Sequence, residues 1–242
     1  MNTRTASHHL RVTAAALAVA GILFVAYPAI RPFSDETSLQ GARAFASTAW
    51  IVAHTLAMLG FIGLTLGLLG LYFTLGKTRG DRLSFRGLVL SWIGAGLTLA
   101  FYGAEAFGLH VIGQEALRQH RPAVLSLAND VRSGPGLAVF VLGLVLLAIG
   151  VIMMAIAVWR AGTLPRWSAV PLAVGFALYL PQFVASQPIR VAHGLVVAAG
   201  CLWVATAMWR RSGALASQEN VGFGPSGGPT AHQRPSPASS GV

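Results

Sequence analysis

The chain has 242 residues, of which 55% are hydrophobic and only 10% charged, and its mean hydropathy is +0.65. Soluble domains carry roughly a quarter charged residues, so a water-soluble fold of this size would lack a polar coat. The formal charge of +10 does not point to nucleic acid, because the basic residues stand in short groups between long apolar runs, as membrane flanks do.

A spanning helix needs about 20 apolar residues, and six stretches qualify, at roughly 12–30, 48–75, 85–108, 136–159, 167–185 and 190–209. In the first, Ala18-Val19-Ala20 resembles a cleavage site, yet the apolar run continues through Val25. That is too long for a signal-peptide core, so a retained helix is expected. A loop over 31–47 follows, where Asp35-Glu36 reads as a helix-capping or solvated pair. The second stretch carries His54 about two turns in, and Gly60, Gly63, Gly67 and Gly70 on one narrow stripe. Such stripes let helix backbones approach closely in lipid. His54 lies on the opposite face, with Met58, Phe61, Thr65 and Tyr72, so this helix is expected to be central.

The third stretch carries Ser91, Thr98, Tyr102 and Glu105 on one face, with Gly94 among them, and is expected to end near Glu105 and His110. After a loop over 109–135, the fourth repeats the glycine device with Gly136, Gly143 and Gly150. The fifth contains Pro171 and Pro181, which are expected to kink it. The sixth holds His193 about one turn in and the lone cysteine, Cys201, which excludes an intramolecular disulfide and a cysteine-rich zinc site. Residues 1–211 thus form an all-α, polytopic membrane helix bundle of about six transmembrane helices. Residues 212–242, rich in Gly, Ser and Pro, are expected to be a disordered cytoplasmic tail.

Arginine and lysine placement gives the orientation. With the N-terminus inside, Arg4, Arg11, Lys77, Arg79, Arg82, Arg86, Arg160, Arg166, Arg210, Arg211 and Arg234 are cytoplasmic. Arg31, Arg43, Arg118, Arg121, Arg132 and Arg190 are external. The positive-inside rule favours this arrangement, eleven to six, with both termini cytoplasmic. Lysine occurs once against sixteen arginines, the codon bias of a GC-rich bacterium, which makes the bacterial plasma membrane the expected location.

Ionisable groups within a membrane are costly and mark function by default. His54, Glu105, His110 and His193 all fall at the outer end, with Tyr102 in the same layer. Val52-Ala53-His54-Thr55-Leu56 matches Val191-Ala192-His193-Gly194-Leu195 at four of five positions, on helices of the same direction. Two imidazoles at one height suit ligation of haem or a metal ion, so His54 and His193 are candidate cofactor ligands in a redox protein. The competing reading is a hydrolase or small-solute transporter whose Glu105 and histidines act on a lipid or small molecule. His8, His9, His120 and His232 lie in tails or loops and take no role. The sequence lacks a phosphate-cradling glycine loop, a His-Glu-x-x-His helix and a Gly-x-Ser-x-Gly elbow. The partners it implies are the lipid bilayer and a small-molecule or lipid ligand, with no nucleic acid and no particular oligomeric state.

Three segments carry a resemblance: Tyr27-Pro28-Ala29-Ile30-Arg31-Pro32, the run from Tyr102 to His110, and Leu178-Tyr179-Leu180-Pro181-Gln182-Phe183. Over roughly residues 10–211 the chain resembles a group of uncharacterised six-helix integral membrane proteins of actinobacteria. The resemblance implies a six-helix fold and no particular activity.

Overall fold

A computed structural model describes the backbone of residues 3–222 and the side chains of residues 5–214. Among the described residues there is no strand, and five helices are long and apolar enough to cross a membrane. These are α1 (Thr3–Ile30), α3 (Thr48–Leu75), α4 (Asp81–Gly103), α7 (Gly134–Ala161) and α9 (Gln187–Gly222). The shorter helices are α2 (Leu39–Phe45), α5 (Leu109–Gln119), α6 (Ser126–Val131) and α8 (Val170–Ala177).

Around the bundle each helix meets the next in the order α1, α3, α4, α7, α8, α9, and α9 closes the ring on α1. The outward faces carry exposed Leu, Ile, Val, Phe and Trp, among them Leu59, Ile62, Leu66, Phe73, Ile93 and Leu142. A belt of this kind belongs against hydrocarbon. Helix α3 touches more neighbours than any other, yet its face at Leu59, Ile62 and Leu66 is open, so it is not enclosed on all sides.

The glycines explain the closest seams. A Cβ on Gly63 would lie 2.9 Å from the Ala16 carbonyl oxygen, and one on Gly67 2.6 Å from the Leu17 Cβ, so the α3 stripe faces α1. On the α4–α7 seam, Gly87 and Gly94 oppose Gly150 and Gly143. Gly136 sits beyond this seam near Val131.

The fifth apolar stretch departs from expectation. It links the end of α7 to the start of α9, which lie at opposite ends of the bundle, but only eight of its residues form α8. Pro171 stands in the first turn of α8 and Pro181 opens a 3-10 turn over Pro181–Val184. Proline lacks an N–H and is tolerated at helix starts, so these prolines begin elements instead of bending one. The freed carbonyls find donors on α9. His193 Nε2–H donates to the Gly175 oxygen at 2.7 Å, Arg190 Nε–H donates to Ala185 O at 2.9 Å, and Arg190 Nη2 donates to Phe183 O. Irregular backbone at membrane depth persists only when buried and satisfied in this way.

The two long connections are structured. Helix α4 continues through a π-helical turn, Ala104–Gly108, into α5, making one rod from Asp81 to Gln119. At 1.5 Å per residue that rod is about 58 Å long, nearly twice a hydrocarbon core of roughly 30 Å. The expected helix end near His110 is therefore corrected: α5 projects past the bundle and, with α2 and α6, forms a small cap. Its own core is Ala42, Phe45, Trp50, Leu109, Ala116, Leu125 and Ala128. At the opposite end α9 runs on past residue 211, where a structureless tail had been expected, because Ala214, Leu215, Ala216, Gln218 and Glu219 are good helix formers. Residues 223–242 of that expected tail lie outside the described residues.

Candidate functional site

Beneath the cap a cavity of about 420 Å³ opens between α1, α3, α4 and α7. The π-helical turn sets its chemistry. Such turns widen the helix and recur at functional positions, and here the turn places Glu105 inside the protein. The turn is held from α3, where the buried Trp50 donates its indole N–H to the Glu105 carbonyl oxygen at 2.9 Å.

Around the Glu105 carboxylate the charges alternate. Arg132 donates Nε–H to Oε1 at 2.5 Å and Nη2–H to Oε2 at 3.1 Å, a two-pronged pair. The third arm of Arg132 reaches Glu36, which also accepts Arg31 Nη2–H at 2.9 Å. Burial works to raise the Glu36 carboxyl, but the guanidiniums of Arg132 and Arg31 outweigh it and hold the group below its ordinary value of 4.5. Burial likewise opposes the charge on Arg132, and Glu105 and Glu36 outweigh it, raising that group above its ordinary value.

His54 completes this layer. Its Nδ1 faces the Trp50 carbonyl oxygen at 2.8 Å, and a carbonyl only accepts, so Nδ1 carries the proton. That leaves Nε2 aimed at Glu105 Oε2, 3.7 Å away.

Arg190 is bound differently. Among the described residues it pairs with no carboxylate; it donates to the Phe183 and Ala185 carbonyls and lies over the rings of Phe33, at 5.2 Å, and Phe183, at 5.8 Å. Phe33 is also covered by Arg31, at 4.6 Å. The cavity lining thus holds three guanidiniums and two carboxylates, leaving one positive charge, and its remaining walls are mostly aromatic: Tyr27, Phe101, Tyr102 and Phe140.

Of the residues expected at the outer layer, the cavity gathers His54, Tyr102 and Glu105. Tyr102 hydrogen-bonds Tyr179 hydroxyl to hydroxyl at 3.2 Å. His110 lies outside the cavity and ties the cap: Nδ1–H donates to the Phe45 carbonyl at 2.9 Å, and Nε2 accepts from the Gln114 amide at 3.0 Å. His193 lines a separate small void on α9 with Tyr179 and Gln182. The paired-imidazole expectation therefore meets two histidines in different cavities, each with one ring nitrogen held by a main-chain oxygen. Among the described residues no three His, Cys, Asp or Glu side chains are grouped as a metal shell.

The arginines and Glu36 are not singled out in the sequence, although pairing of Glu105 with an outer arginine is one expectation there, and Arg132 meets it. By sequence alone Arg31, Arg132 and Arg190 read as membrane flanks, and Glu36 as a capping or solvated residue. Asp35 alone behaves as that reading says, accepting the Thr37 N–H at 3.0 Å. An available signal was the concentration of acids: Asp35, Glu36, Glu105, Glu115 and Asp130 all fall in the outer segments with the arginines, so ion pairs are to be sought at that end.

No protein-family description, no curated protein and no solved structure matches this chain.

Proposed function

We propose that this chain is a multi-pass protein of a bacterial plasma membrane, with both termini cytoplasmic, that binds a small organic anion from the outer side. One observation carries the reading: the cavity under the cap is aromatic-walled and holds one guanidinium, Arg190, that forms no ion pair with a carboxylate among the described residues. A volume of about 420 Å³ lies within the range of small-molecule sites, which combine apolar walls with a few polar groups that fix orientation. Arg190 also retains Nη1 N–H groups that no oxygen among the described residues engages. A carboxylate with an aryl or short alkyl body satisfies both halves of the lining. The eleven-to-six asymmetry of basic residues supports placing this end outside.

The test uses purified protein with arylalkanoates such as 4-phenylbutyrate, set against the matching amide and amine. The carboxylate is expected to raise the melting temperature, and the amide and amine to leave it unchanged. Leu137→Trp fills the mouth without touching an ion pair and should abolish the shift, while Arg190→Gln should remove the preference for the anion. Right-side-out vesicles should bind and inverted ones should not. Equal shifts from the acid and the amide would overturn the anion reading, and binding only to inverted vesicles would overturn the orientation.

A further inference from the structure

The end of the bundle opposite the cap holds a second, unrelated concavity. It lies where the α7–α8 connection passes α9, measures about 590 Å³, and is lined by Thr163, Leu202, Trp203, Thr206, Arg210 and Arg211 among others.

Its charge has no answer among the described side chains. Among the residues whose side chains are described, this end carries Arg11, Lys77, Arg79, Arg82, Arg86, Arg160, Arg166, Arg210 and Arg211, and Asp81 is the one acid. Asp81 stands at the start of α4 in a different concavity. Arg210 is exposed and pairs with no carboxylate there; Arg211 donates Nη1–H to the Thr163 carbonyl at 3.3 Å, which anchors its guanidinium at the rim. Beside it, the Thr163 hydroxyl oxygen is buried and has no hydrogen-bond partner. Buried polar groups are satisfied in nearly all native structures, by water or ligand where not by protein.

The walls give the rest. Leu202 and Trp203 are exposed to 43% and 46% on the lipid-facing side of α9, and lead away from the arginines toward mid-bundle. Trp159, Trp167 and Trp209 are exposed at the same end, the aromatic level that marks the headgroup boundary. The arginines therefore sit at phosphate height, and an apolar track runs from them into the hydrocarbon.

We propose that this concavity binds the headgroup phosphate of an anionic phospholipid from the adjoining leaflet, with Arg210 and Arg211 on the phosphate, the Thr163 hydroxyl donating to it, and an acyl chain along Leu202 and Trp203. Basic pockets between membrane helices recognise lipid headgroups in this way. The site is independent of the capped cavity and of its ligand.

The full-length protein, purified in neutral detergent, is heated with added dioleoyl-phosphatidylglycerol, with dioleoyl-phosphatidylcholine, and with inorganic phosphate, and native mass spectrometry counts retained lipid. Phosphatidylglycerol alone should raise the melting temperature and give a one-to-one adduct. Arg210→Gln with Arg211→Gln should weaken the lipid response at least fivefold. Arg79→Gln with Arg82→Gln, which removes the same charge from the same end, should leave it intact. Thr163→Val deletes an unpartnered hydroxyl, so it should melt no lower than the parent without lipid and respond less to lipid. Equal losses in the two arginine pairs would show diffuse attraction and overturn the site. A response to inorganic phosphate alone would overturn the lipid as its occupant, and a full lipid response in Thr163→Val would remove Thr163 from it.

Discussion

Two glycines two residues apart on α4, and so on nearly opposite faces of the helix, should respond to the same substitution with opposite signs. A Cβ on Gly94 would fall 2.5 Å from both the Gly143 oxygen and the Leu147 nitrogen, and 2.9 Å from the Leu147 Cα. All three are backbone atoms, which no rotamer change can move aside. Restoring ordinary contact means parting α4 and α7 by about 1 Å at that level, and a gap of 0.5–1 Å already forfeits roughly a quarter to a half of each contact along the seam. Overpacking of this kind costs about 1–3 kcal/mol. Gly96 is exposed, and nothing lies within 4 Å of the same atom there. Alanine at that position meets no clash and gains helix propensity, at most about 1 kcal/mol. For a chain of this size roughly 2–4 °C accompanies each kcal/mol, so Gly94→Ala should melt several degrees below the parent and Gly96→Ala at or above it. Melting in detergent, followed by the monodisperse peak on size exclusion after heating, reads both. If Gly94→Ala melted with Gly96→Ala, the close α4–α7 seam would be refuted.

Trp50→Phe should lower stability by about 1–3 kcal/mol, the cost of a buried carbonyl losing its donor, since it removes the indole clamp on Glu105. It should also weaken arylalkanoate binding, and unchanged binding would mean that the π-helical turn keeps its place without Trp50. Glu36 predicts an acid limb. Its folded value lies below the ordinary 4.5, so its contribution is fully present above pH 4.5 and is lost as the pH falls through the lower value. Melting temperature against pH from 3 to 7 should drop more steeply for the parent than for Glu36→Gln, and parallel curves would refute the linkage.

The bundle was legible because lipid forces each spanning segment to satisfy its own backbone, which leaves a continuous apolar run as its trace. The expected stretch 48–75 matches α3, Thr48–Leu75, to the residue, and its Ser47 cap follows the usual preference for serine there. The same criterion stopped short at 108, because α5 is amphipathic and projects past the bundle, where apolar content no longer reports helix. It overran at 167–185, since hydropathy is blind to what Pro171 and Pro181 do to an N–H ladder.

The site divided along a similar line. An ionisable residue within an apolar run is conspicuous, and Glu105 and His54 were found that way. Arg31, Glu36 and Arg132 sit in polar connections, where a charge is ordinarily solvated. Only the folding of α2, α5 and α6 over the bundle buries them. His193 was placed at the right depth, but depth does not reveal that its ring serves the Gly175 carbonyl.

That last bond bears on how the protein is made. Segment 162–186 leaves the ribosome before α9, and at that moment the oxygens of Gly175, Phe183 and Ala185 lack the Arg190 and His193 donors that later hold them. Unsatisfied backbone is poorly tolerated in hydrocarbon, so the segment has no stable home of its own when it is synthesised. Its burial at membrane depth therefore depends on the donors that α9 brings. Assembly thus couples two segments, since α9, which follows later in the chain, supplies the donors that satisfy the backbone of the segment before it.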